Sequence, residues 1–232
     1  MAYRNVKILS GEDEVFESSF PSVVATPFPT KTGALNSLWS IVLDRVFAAL
    51  IVLLLAPVFI LVSLAILILS GRPIFYSQKR IGKDGSEFRI FKFRTMVNGA
   101  HSLKSQLQHM NFMTGPFFKI KNDPRITREG KFLRKWSLDE LPQLFNVLAG
   151  DMSLVGPRPM LPEEIRELNC EDILSVPPGL TGLWQVSGRN EVVDFKQKLA
   201  LDRIYVQKKN FFFDLLILMK TFKAVVASRG AY

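Results

Sequence analysis

KFLRKWSLDELPQLFNVLAGDMSLVGPRP, residues 131–159, holds an adjacent Asp139-Glu140 pair, the cations Arg134 and Lys135 before it, and an arginine, Arg158, between two prolines. Carboxylates beside fixed cations suit phosphate chemistry. They can hold a divalent ion or attack phosphorus, while guanidinium and ammonium groups neutralise diphosphate oxygens. The local fold turns on Pro142. Ser137 to Glu140 fits the S-x-x-E capping box, with Glu140 as a cap, but Pro142 would then fall at the fifth helical position and clash with the Leu138 carbonyl. With Pro142 at the first helical position, the helix runs to Ala149 and Gly150 lies just past its end. Asp139 and Glu140 then stand in the turn before a helix N-terminus, where free N–H groups favour bound phosphate. The proline favours this second reading.

Upstream, residues 46–69 read VFAALIVLLLAPVFILVSLAILIL without a charge. As a straight helix this run measures about 36 Å, enough to cross a hydrocarbon core of about 30 Å. Pro57 at its centre removes a hydrogen bond and favours a kink. Lys31 and Arg45 precede the run and Arg72, Lys79, Arg80 and Lys83 follow it. Basic flanks on both sides stay cytoplasmic only if the segment enters and returns. A straight span with a tolerated proline is equally supported by these features. A phosphate site beside one membrane segment points to a phosphorylated lipid.

The 232 residues suffice for one core, and 30 Lys+Arg against 21 Asp+Glu leave a net charge of +9. A basic chain suits a partner made of phosphates: nucleic acid, anionic headgroups or a nucleotide-sugar. A nucleic-acid module would not account for the apolar run or the acidic pair. The single cysteine, Cys170, excludes an internal disulfide and a Cys-rich zinc site. Residues 1–36, poor in periodic apolar positions, are expected to form a mobile arm without the features of a secretory signal.

Beyond Gly71 the chain reads as soluble. Residues 74–96 are expected to form a β-hairpin turning at 82–85, with Lys92 and Arg94 on one face of its second strand. Residues 98–110 read as a polar helix and 128–136 as a basic one. In residues 177–190, PPGLTGLWQVSGRN, the glycines are read as a loop that lets a ligand approach the backbone, with Trp184 as a flat surface and Arg189 as a further cation. The apolar stretch 211–219, broken by Asp214 and then Lys220, suits a helix lying in the membrane interface.

Together FKFRTM (91–96), residues 123–159 and PGLTGLWQVSGR (178–189) closely resemble the bacterial sugar transferase family, the monotopic phosphoglycosyl transferases, in its exopolysaccharide-initiating branch. The resemblance implies an α+β fold: a mainly helical cytosolic globule with a small β-hairpin, interfacial amphipathic helices and an N-terminal re-entrant, kinked membrane helix. It divides the chain into a mobile arm (1–36), the membrane helix (37–70) and a cytosolic catalytic domain (71–232). It implies transfer of galactose- or glucose-1-phosphate from a UDP-hexose to undecaprenyl phosphate, releasing UMP, at the cytoplasmic face of the bacterial inner membrane. Carried over by motif, Asp139 is the nucleophile and Glu140 its partner, both at a Mg2+ ion. Lys92, Arg94, Arg158 and Arg189 are assigned to substrate phosphates, and Asp214 matches an acidic position. The expected partners are UDP-hexose, undecaprenyl phosphate and inner membrane lipids, not nucleic acid, and a homodimer is compatible with the sequence. A glycosyltransferase releasing UDP is the competing reading.

Overall fold

The computed structural model describes residues 34–113, 115–187 and 194–226. Its first element is α1, Ala34–Ser70, a single helix of 37 residues that contains Pro57. Leu53, Leu54, Ile60, Leu61, Ile68 and Leu69 project from it largely exposed. Ala48, Val62 and Ile66 are buried against the rest of the protein. One stripe of α1 therefore packs and the remainder is apolar surface that suits lipid rather than water.

The expected hairpin is present. Strands β1, Phe75–Ile81, and β2, Glu87–Phe93, pair antiparallel with Phe75 opposite Phe93 and Ile81 opposite Glu87. Asp84 (φ 53°) and Gly85 (φ 81°) make the turn. Helix α2, Arg128–Lys135, follows with Thr127 as cap, its side chain accepting from the Gly130 N–H at 3.1 Å. Helix α3, Gln143–Ala149, has Pro142 as its cap and ends at Gly150, whose φ of 94° is the left-handed geometry expected of that glycine. Pro142 thus sits one position before the first helical residue.

Next come β3, Ser153–Val155, α4, Pro162–Leu168, β4, Gly179–Thr181, and the one-turn helix α5, Leu183–Val186. Two long helices complete the described chain: α6, Phe195–Lys208, and α7, Phe211–Val226. A central core joins α1, β2, α3, β3, α6 and α7 through Ala48, Ile90, Leu144, Leu154, Tyr205 and Phe213. The second half of α1 packs separately on Phe93 and Leu133 of the hairpin and α2.

Two expectations are corrected. Residues 98–110 form consecutive turns and a short 3-10 segment, Gln108–Met110, rather than a helix. Gly99 takes φ 74°, the bonds run mostly from residue i to i+3, and the segment has no apolar face whose burial would hold a helix. Residues 177–187 are not a loop either, since they contain β4, parallel to β3, and α5. Their glycines serve backbone packing: a Cβ on Gly179 would stand 2.0 Å from the Gly156 nitrogen, and one on Gly182 would stand 2.3 Å from the Gly156 carbonyl oxygen.

Candidate active site

Helix α2 delivers Arg134 in its last turn, and the chain then reverses at Ser137, which adopts φ 55°. The reversal opens a 3-10 turn, Leu138–Glu140, leading into α3. Asp139 is buried on this turn and Glu140 is half-buried. From the hairpin, the Lys92 ammonium meets Glu140 Oε1 at 2.7 Å. Arg134 donates through Nε to Thr95 Oγ1 at 2.9 Å and lies in the field of Asp139, Asp123 and Glu140. Burial lowers the Arg134 pKa and the three carboxylates oppose that shift. The site therefore has two adjacent carboxylates, one buried, with one cation from β2 and another from α2.

Asn146 holds the two walls together, a role the sequence did not reveal. From within α3 its Oδ1 accepts from the Phe91 N–H at 3.1 Å and its Nδ2 donates to the Arg89 carbonyl at 2.7 Å. These bonds fix β2, and with it Lys92, against the helix that follows the acidic pair. An asparagine among apolar residues of a short helix was the only available signal.

Arg94 is placed elsewhere. Its guanidinium donates to the carbonyls of Ser70 (2.8 Å), Gly71 (2.7 Å) and Arg72 (3.1 Å), and to Asn98 Oδ1 (2.5 Å). This is a cap on the C-terminal end of α1, where a cation also meets the negative end of the helix dipole. Ser70 adds a hydrogen bond from its hydroxyl to Glu129. Arg94 thus joins the apolar helix to the strand that carries Lys92.

Arg158 stands at a pocket with Phe117, Trp184, Lys198 and Asp202. Its guanidinium lies 5.4 Å from the Phe117 ring centroid, and Asp202 accepts its backbone N–H. Arg80 secures the segment by donating to the Pro159 carbonyl at 3.1 Å and pairing with Glu164 at 3.7 Å. Burial shifts three groups here: Arg80 falls to about 10, Lys198 falls to about 8 and Asp202 rises to about 8. Lys198 and Asp202 were not singled out from the sequence.

Asp214 belongs to a third group. Its Oδ1 lies 2.8 Å from the Tyr205 hydroxyl, which also reaches the Val155 carbonyl at 2.9 Å, and burial raises its pKa to about 6. Nearby, Asp44 of α1 accepts from Ser153 and from the Leu154 backbone and faces Lys209. Arg189 lies outside the described residues. The structure therefore brings Asp139, Glu140 and Lys92 together, gives Arg158 a pocket, and commits Arg94 to a helix end and Asp214 to a tyrosine.

Among the described residues there is no group of three or more His, Cys, Asp or Glu side chains that would form a protein-only metal cage. Two adjacent carboxylates are the donor set suited to Mg2+, which keeps several waters and completes its shell with substrate phosphates.

Residues 35–228 match the family described as "Bacterial sugar transferase". The chain is 39% identical over 219 residues to "Exopolysaccharide production protein ExoY" of Rhizobium meliloti (strain 1021), covering 90% of this chain and 96% of that protein. It is 49% identical over 169 residues to "Undecaprenyl-phosphate galactose phosphotransferase" of Salmonella typhimurium (strain LT2), covering 70% of this chain and 35% of that one. It is 36% identical over 210 residues to "Undecaprenyl-phosphate glucose phosphotransferase" of Komagataeibacter xylinus, covering 84% and 38% respectively. The chain thus spans little more than a third of the last two relatives and nearly all of the first.

Proposed function

Because the chain belongs to the bacterial sugar transferase family, we propose that it transfers galactose- or glucose-1-phosphate from a UDP-hexose to undecaprenyl phosphate, releasing UMP, in the first membrane step of exopolysaccharide assembly. The observation that carries this reading is the buried Asp139 beside Glu140 on a 3-10 turn, with Lys92 and Arg134 around them. Polyanion repulsion is the main obstacle to a carboxylate attacking a diphosphate. Fixed cations beside the pair lower it.

The Asp139 carboxylate attacks the sugar-bearing phosphorus of the UDP-hexose, and the bond from that phosphorus to the bridging oxygen breaks. UMP leaves with the electron pair, and the hexose-1-phosphate remains on Asp139 as an acyl phosphate. A phosphate oxygen of undecaprenyl phosphate then attacks the same phosphorus, expels the carboxylate and forms the diphosphate-linked lipid sugar. Neither step needs a proton from outside. Asp139 and Glu140 would hold Mg2+, which when bound offsets the negative charge on the diphosphate oxygens. Lys92 orients Glu140, and Arg158 takes a phosphate of the donor.

We place the enzyme at the cytoplasmic face of the inner membrane, with α1 re-entrant. Support comes from both ends of α1 touching the same globule: Asp44 bonds Ser153 and Leu154, and Ser70 to Arg72 are held by Glu129 and Arg94. Those ends are 26 residues apart, about 39 Å along a straight helix. A bilayer lying between them would pull either end away from the globule.

With Mg2+ and labelled UDP-hexose but no lipid, the wild type should release one burst of UMP and keep labelled sugar-phosphate on Asp139. Asp139→Asn should abolish both. Release of UDP would instead identify a glycosyltransferase that moves the sugar alone, and UMP release strictly dependent on lipid would indicate direct transfer in a ternary complex.

A further inference from the structure

Helix α6 turns Lys198 and Asp202, four residues apart, onto one face, at the pocket that Phe117, Trp184 and Arg158 also line. Two cations share one ring there. The Arg158 guanidinium and the Lys198 ammonium each lie 5.4 Å from the Phe117 centroid, and Lys198 lies 5.1 Å from that of Trp184. Among the described residues the one hydrogen bond of the Lys198 ammonium is to the Met113 sulfur at 4.0 Å. Burial, followed by repulsion from Arg158 and Lys119, lowers its pKa to about 8. The two carboxylates that oppose this shift, Asp202 and Glu164, are poor counterions. Glu164 is paired with Arg80 at 3.7 Å, and burial raises Asp202 to about 8, so at pH 7 it is mostly the neutral acid. Arg158 and Lys198 therefore meet at the pocket with no carboxylate committed to either.

The remaining polar groups of the pocket are donors too. As a neutral acid Asp202 accepts the Arg158 backbone N–H on one oxygen and carries its proton on Oδ1, which is buried without a hydrogen-bond partner. The Trp184 indole N–H is buried and unpartnered as well. Donors without an acceptor, two of them charged, call for an oxyanion. The enclosed space holds about one water. That is room for a single phosphoryl oxygen, with the rest of the group outside at the open mouth. We propose that Lys198 is a phosphate-binding residue of the reaction, closing together with Arg158 on the phosphate of the donor that departs as UMP. The sugar-bearing phosphorus goes to Asp139, on the turn that Lys92 reaches through Glu140. The phosphate next to it gains a negative charge as the bridging bond breaks, so a second fixed cation there favours the transition state over the bound donor.

This inference rests on the reading of the donor as a uridine nucleotide, and the test separates the two. Equilibrium binding of UMP, uridine and inorganic phosphate is measured at pH 7 on the full chain in lipid nanodiscs. The wild type should bind UMP about tenfold or more tightly than uridine. Lys198→Met keeps an unbranched stem on the two rings and removes the charge, so UMP should bind about tenfold or more weakly while uridine binds as before. Lys198→Gln should show the same loss, and thermal melting confirms that each variant folds. UMP affinity unchanged in both variants would reduce the pocket to a buried-water site and overturn the assignment. A Lys198→Met enzyme that binds UMP normally but has a raised KM for undecaprenyl phosphate would give Lys198 to the acceptor instead. Inorganic phosphate bound as tightly as UMP would make this a free-anion site, again against the proposal. A wild type that binds neither UMP nor UDP-hexose would overturn the donor reading itself.

Discussion

A tyrosine hydroxyl has one proton to give, and Tyr205 has two oxygens within reach, the Val155 carbonyl and Asp214 Oδ1. If the proton goes to the carbonyl, Asp214 must carry a proton of its own to donate in return. Below its raised pKa of about 6, caused first by burial, Asp214 does carry one; above it the tyrosine donates to the carboxylate instead. Between the ordinary carboxylate value of 3.8 and 6 the folded state holds a proton that the unfolded chain has lost. Stability should therefore be highest below pH 4, fall as pH rises toward 6, and level off above, by on the order of 2–3 kcal/mol. Asp214→Asn, which imitates the protonated acid, should flatten that slope and raise the melting temperature at pH 7; an unchanged slope in thermal melts from pH 4 to 7 would place the ionisation elsewhere. Asp139 and Glu140 were legible in the sequence because a proline two residues on leaves few places for a helix to start. Arg94 was not. On a strand it alternates with Lys92 as a basic face would, and only the fold brings the carbonyls of residues 70–72 to it.

At the scale of elements, the hairpin, α2 and α3 follow from local rules: a glycine turn, a threonine cap, a glycine stop. The β3-β4 pair does not, because two parallel three-residue strands signal nothing by periodicity. What specifies them is contact between backbones. Gly156, Gly179 and Gly182 leave no room for a methyl group, and Gly156 begins the GPRP segment that carries Arg158. Gly179→Ala should thus cost about 2–4 kcal/mol through overpacking against backbone that cannot yield. Donor binding should weaken with it, although residue 179 touches no substrate in the proposed site. A variant with wild-type melting temperature and donor affinity would show that this crossing can relax. The polar stretch 98–110 misled for the opposite reason, since its composition permits a helix that nothing in the tertiary structure rewards.

For the whole molecule the question is where the bilayer lies. The run of residues 46–69 announces a membrane segment, but its flanking charges and Pro57 left span and return in balance, since charge position constrains sidedness and not path. The contacts at both ends of α1 favour return. Cysteines placed at Gly33, which lies outside the described residues, and at Lys83 in the hairpin turn should both resist an impermeant thiol reagent applied to intact cells and both react in opened ones. Labelling of position 33 from outside would mean a span. Pro57→Leu should move some of the population toward that state. An apolar body that enters and leaves through the same face displaces lipid from one leaflet and none from the other. With α1 returning as proposed, the protein would act as a wedge, swelling the area of its own monolayer, and where it gathers on a cell would become partly a matter of membrane curvature.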